Sequence, residues 1–149
     1  MKPQVEILFD DYCKIRKSNL ELPQFRYLLN LFPALLVCMA DGVLDEPEWE
    51  GVIKSANVLA EEFIEEGSTR EEKEKLAQAF RADLRYLLDN YQKWEKKFLN
   101  TLKSEIDENR SDREFITETM YLFANAADGI SVEEQTVINS LSDRLGLAH

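Results

Sequence analysis

Residues 35–48 read LLVCMADGVLDEPE and residues 122–134 read LFANAADGISVEE. With Ala40-Asp41-Gly42 set on Ala127-Asp128-Gly129, Asp45 falls on Ser131 and Glu48 on Glu134 after a one-residue gap. Downstream, Val52 falls on Ile138 and Leu59 on Leu145. An internal repeat of this kind constrains the fold strongly, because each copy is a helix, a tight turn and a second helix with one apolar face to cover. Those faces hold Leu35, Leu36, Met39 and Val52 in one copy, and Leu122, Phe123 and Ile138 in the other. The simplest cover for each is the other, so the two hairpins are expected to pack together with approximate two-fold symmetry.

The turns themselves have a full account as structural devices. Gly42 and Gly129 suit the left-handed conformation that ends a helix. Asp45 and Ser131 suit the N-cap of the next helix, and Glu48 and Glu134 the reciprocal position of a capping box. Val43 or Leu44, and Ile130, are placed to plug the interior between the helices. Asp41 and Asp128 are less at home, since a helix C-terminus carries partial negative charge. A backbone N–H or a cation would each relieve them. Calcium seeks six to eight oxygens, of which Asp41, Asp45 and Glu48 could supply several. The spacing Asp41-Gly42-Val43-Leu44-Asp45 does not fit an EF-hand loop.

The remaining pattern is helical throughout. Val5, Leu8, Phe9, Tyr12, Cys13 and Ile15 form a stripe over 5–17. A helix over 23–40 carries Phe25, Leu28, Leu29, Phe32, Leu35, Leu36 and Met39, with Pro33 set to kink it or to divide it at Asn30. A third over 45–66 buries Trp49, Val52, Ile53, Ala56, Leu59, Ala60 and Phe63 and stops at Gly67. Ser68 or Thr69, with Glu71 or Glu72, then caps a stretch that reaches Gly129 without a glycine or proline. Its stripe from Leu76 through Trp94 to Ile106 makes one long helix or two, and compactness favours a break near Asp89-Asn90. Ser111 with Glu114, and Ser131 with Glu134, open the last two helices, and Gly146 closes the chain's final one. The expectation is a single all-α domain over 1–149, a bundle of about six or seven helices.

Composition narrows the function. Only 5 glycines and 4 prolines argue against an all-β fold. A formal charge of −11 disfavours nucleic acid and acidic membrane surfaces, and favours cations or a protein with a basic surface. Between residues 41 and 66 only Lys54 is basic, which reads as a solvated face or a docking surface for such a partner. Lys93, Lys96, Lys97 and Lys103 could pair with that acidic helix, within the chain or between copies. Trp49 and Trp94 fall on apolar stripes and are expected in the core. Cys13 and Cys38 read as reduced core residues. No apolar run reaches the ~20 residues of a membrane span, and Met1-Lys2-Pro3-Gln4-Val5-Glu6 holds no apolar signal region, so the cytoplasm is the expected compartment. The one histidine is His149, the last residue, which leaves zinc, Ser-His and Cys-His chemistry without their base.

A helix ending in Ala-Asp-Gly, a short turn, and a capped helix with an acid in its first turn resembles the TerB-like family of tellurite-resistance proteins. The closing Leu145-Gly146-Leu147 is similar as well. The resemblance implies an all-helical, non-catalytic domain in a stress-response or chemical-resistance system, near membranes but not inserted in them. It also implies an acidic cluster that binds a divalent cation, here Asp41, Asp45, Glu48, Asp128 and Glu134. Ser131 departs from it, standing where an acid would strengthen the second site.

The leading expectation is therefore a helical interaction module with a weak divalent-cation site, such as one for calcium, at the acidic turns. The alternative is a protein–protein adaptor whose turns are structural only. An enzyme that uses paired carboxylates on a cation is the third reading.

Overall fold

A computed structural model describes residues 3–40, 42, 46–63, 67–125 and 129–147. Among the described residues the chain is seven helices and no strand: α1 (Gln4–Ile15), α2 (Leu22–Cys38), α3 (Glu46–Phe63), α4 (Arg70–Asp89), α5 (Tyr91–Asp107), α6 (Arg113–Ala124) and α7 (Val132–Leu145). The expected all-α bundle is thus observed. None of the described helices is long and apolar enough to cross a membrane.

The centre of the fold is α2. Leu28, Leu29 and every residue from Leu31 to Cys38 are buried. A helix that is apolar on all sides must be enclosed by others, and α1, α3, α4, α5, α6 and α7 all pack against it. This enclosure explains why Pro33 neither divides α2 nor starts a new helix at Asn30: α2 runs unbroken through it. A proline inside a helix costs about 3 kcal/mol, less than burying several large side chains contributes at ~1.5–3 kcal/mol each.

The repeat is visible in the packing. The first helices of the two hairpins, α2 and α6, share the most extensive helix–helix contact in the chain. Each also touches the second helix of the other hairpin, α2 meeting α7 and α6 meeting α3. That is the pairing a two-fold relation requires. The expected covering faces are mostly buried, Leu35, Leu36 and Val52 in one hairpin and Phe123 and Ile138 in the other. Met39 is partly buried, and Leu122 is exposed at 65%. Ile15, expected on the first stripe, is also exposed, because the buried side of α1 is set by Val5, Leu8 and Tyr12.

The long middle region divides where compactness demanded, with Asn90 between α4 and α5. Asn90 Nδ2 donates to the carbonyl of Tyr86 at 2.8 Å, satisfying one of the acceptors left open as α4 ends. Thr69 and Glu72 form the capping box that opens α4. At α6 the cap is Asp112 rather than Ser111: Phe115 N–H donates to Asp112 Oδ1 at 3.1 Å.

Aromatic rings bind α1, α2 and α5 together. Tyr12 lies 5.1 Å from Phe25 and 5.3 Å from Trp94 between ring centres, and Phe98 lies 4.7 Å from Phe32. Trp94 is buried as expected, and its Nε1 donates to Tyr86 Oη at 3.0 Å. Trp49 is only partly buried, with Arg85 stacked over its ring at 5.2 Å. Beside the aromatic cluster Asp83 of α4, 1% exposed, gathers three donors from the start of the chain. Tyr12 Oη donates at 2.9 Å, Arg16 Nε at 3.0 Å and Ser18 Oγ at 2.6 Å. A buried carboxylate needs such partners, and here they tie α1 and the segment after it to α4.

Burial, then the neighbouring Asp83 charge, raises the Tyr12 phenol far above its ordinary value of 10.0. In the unfolded chain this phenol loses its proton near that value while the native protein keeps it, so the unfolded state binds fewer protons above it. Stability from Tyr12 is therefore complete below about pH 10 and falls as pH rises beyond it. Urea unfolding across this range should show a fall that Tyr12→Phe reduces. At neutral pH the same substitution should cost about 1–3 kcal/mol by removing a donor from Asp83.

Candidate functional site: the repeated turns and an open groove

Of the five acids marked out by sequence, Asp41, Asp45 and Asp128 lie outside the described residues, as do Val43 and Leu44. Glu48 and Glu134 occupy matching places in the first turns of α3 and α7, and both are nearly buried. Glu134 is engaged in the expected capping box. Its Oε1 accepts from Ser131 N–H at 2.9 Å, while Ser131 Oγ accepts from Glu134 N–H at 3.1 Å. That bond holds one carboxylate oxygen on the backbone and favours a cap over a cation ligand at the second turn. Among the described residues no cluster of three or more His, Cys, Asp or Glu side chains could hold a metal ion.

Gly42 and Gly129 have φ of +84° and +93°, as the turn reading requires. Among the described residues, a Cβ at either would meet no atom within 4 Å. Backbone conformation rather than crowding therefore calls for glycine there. Ile130 does not plug the interior: it is 37% exposed.

A concavity of about 460 Å³ lies elsewhere, between α3 and α6. Its floor is Leu31 of α2, with Phe123 and Thr119 of α6. On α3, Pro47, Gly51, Ser55 and Val58 recur at three- and four-residue steps, and so form one stripe facing it. Leu122 stands on the α6 wall. Val58 is 55% exposed and Leu122 65%, so the groove presents apolar surface to water. Sequence reading assigned Leu122 to the buried face and did not single out Val58. Both are apolar residues lying off the main buried stripe of their helices, and that offset is the signal that could have found them.

Glu50 and Lys54 stand on the α3 side. Along α3 lie the acids Glu46, Glu48, Glu50, Glu61 and Glu62 and a single base, Lys54. Glu61 is held by Lys73 of α4 at 2.6 Å, and that hydrogen bond lowers its pKa below the ordinary range. The lysines of α5 turn to other partners. Lys97 pairs with Asp11 at 4.0 Å and Lys103 with Asp107 at 2.8 Å, while Lys93 and Lys97 lie over the Trp94 ring at 5.9 and 5.8 Å.

No protein-family model matches this chain, and neither a curated protein nor a solved structure matches it.

The cap at the second turn is open to measurement. Ser131→Ala should lower the unfolding free energy by about 1 kcal/mol, and by the same amount with and without millimolar calcium. A calcium-dependent rise in melting temperature that this substitution abolishes would return the second turn to the cation reading.

Proposed function

We propose that this chain is a non-catalytic helical interaction module, and that it binds a protein partner through the groove between α3 and α6. The observation that carries the proposal is Leu122. It belongs to the repeat, matches the fully buried Leu35 of the first copy, and yet stands 65% exposed on the wall of a concave apolar surface. A contiguous apolar concavity in water is a feature that binding covers. The acids of α3 favour a partner with a basic surface, since complementary charge speeds encounter and rejects acidic competitors.

A setting in a stress-response or chemical-resistance system rests on the resemblance carried by the two Ala-Asp-Gly turns, the capped helices after them and the closing Leu145-Gly146-Leu147. The adaptor reading, with structural turns, is favoured over the cation-dependent one by the bond from Ser131 N–H to Glu134 Oε1.

A photo-crosslinking amino acid placed at position 122 or 58 of the full chain, in the cells that make it, should give a discrete protein adduct. The same group at the exposed Ile15 of α1 should not give that adduct. Equal labelling at all three positions, or none, would remove the groove as the binding surface.

A further inference from the structure

The repeat supplies a comparison for the groove within the same molecule. Its pairing makes α2 equivalent to α6 and α3 equivalent to α7. The groove between α3 and α6 therefore has a counterpart between α7 and α2. That counterpart is occupied, because α5 packs against both α2 and α7. Phe98 of α5 lies 4.7 Å from Phe32 of α2 between ring centres, and Leu102 and Ile106 are fully buried along the same helix. Near the far end, Lys103 Nζ comes within 3.1 Å of the place a Cβ would take on Gly146, at the C-terminus of α7. The outward residues of α5 include the exposed Lys93, Lys96 and Lys97.

Between α3 and α6 no described helix plays this part. The consequence is visible residue by residue under the repeat alignment. Leu35 is 0% exposed and its equivalent Leu122 is 65% exposed. Phe32, which receives Phe98, is matched by the smaller Thr119 on the floor of the open groove. The α3 stripe from Pro47 to Val58 spans about 16 Å at ~1.5 Å per residue, the length of three helical turns.

We propose that the open groove seats an amphipathic helix of a partner protein, laid between α3 and α6 as α5 is laid between α7 and α2. Its apolar stripe rests on Leu31, Leu122, Phe123 and Val58, and its lysines or arginines meet Glu50 at the start of α3. The occupant is helical because the equivalent site is filled by a helix and because the groove is walled by two helices. It is apolar on one face, with anchors at three- and four-residue steps, because the lining repeats at those steps. It is basic on the flank that passes the start of α3, because Glu48 and Glu50 line the groove there against the single base Lys54. The inference rests on the reading of this chain as an interaction module and adds the class of partner.

The test uses the full chain and three synthetic helices of about four turns. The first has leucines at three- and four-residue steps with lysines elsewhere. In the second, glutamates replace the lysines. The third keeps the composition of the first but scatters the leucines around the helix. By fluorescence anisotropy the first should bind at least tenfold more tightly than either of the others. Leu122→Asn and Val58→Asn, at exposed positions, should each weaken it at least tenfold while leaving the melting temperature unchanged. Equal binding of the first and third peptides would reduce the effect to charge and overturn the proposal. So would equal binding of the first and second, indifference to Leu122→Asn, or no binding at all. Sedimentation equilibrium showing a dimer that Leu122→Asn dissolves would also overturn it, by making a second copy the occupant. If the peptides fail while crosslinking from position 122 still captures a protein, the helix is wrong and the interaction module stands. Should both fail, the two fall together.

Discussion

Burial of α2 on every side governs the rest of the structure. Eight consecutive residues, Leu31 to Cys38, are removed from water, and a single helix can be covered so fully only by several neighbours. The fold is the arrangement of those neighbours. The partner helix α6 takes one side through the repeat, α7 follows from the same relation, and α5 closes a further side with Phe98 on Phe32. The tolerance of Pro33 belongs to this enclosure as well. A proline that would break an isolated helix is carried within one when packing on all sides outweighs one lost hydrogen bond.

Much of this was legible from residue order, because local rules and the tertiary demand coincide. Thr69 with Glu72, Ser131 with Glu134, and the left-handed glycines are decided within a few residues of themselves. The break at Asn90 followed from a length argument and has a local device in the Asn90 side chain. Features decided at long range were not legible. Asp83 reaches Tyr12 across 71 positions, and nothing near either residue announces the pair. Ser111 and Asp112 are adjacent capping residues, and choosing between them takes knowledge of where the preceding chain arrives. Leu122 is the most instructive case. Periodicity gives an apolar residue a face, but whether any helix covers that face depends on elements elsewhere in the chain.

The turns show how a short motif can carry two meanings. The described parts of the Ala-Asp-Gly motif, Gly42, Gly129, Ser131 and Glu134, are accounted for by backbone geometry and capping. A carboxylate that completes a capping box offers a cation one oxygen fewer, and calcium needs six to eight. Competition of this kind separates a helix start from a metal loop, and at the second turn Glu134 gives one oxygen to the cap on Ser131.

Duplication also explains why a groove should be open at all. A two-fold pair of hairpins makes two equivalent flanks, yet the chain is not two-fold outside the repeat. The helices α4 and α5 fall between the copies, and α1 precedes both. With α5 against α2 and α7, and α4 committed chiefly to α3, the flank between α3 and α6 has no described helix assigned to it. The chain has adapted to this only in part. Thr119 stands where Phe32 stands in the filled flank, which lessens the apolar floor, but Leu122 retains the side chain of Leu35 and adds Val58 as a neighbour in the groove. An exposed leucine contributes little to folding, since burial is what gives it value. The exposed apolar wall of Leu122 and Val58 is the observation behind the proposal that this flank is an interface.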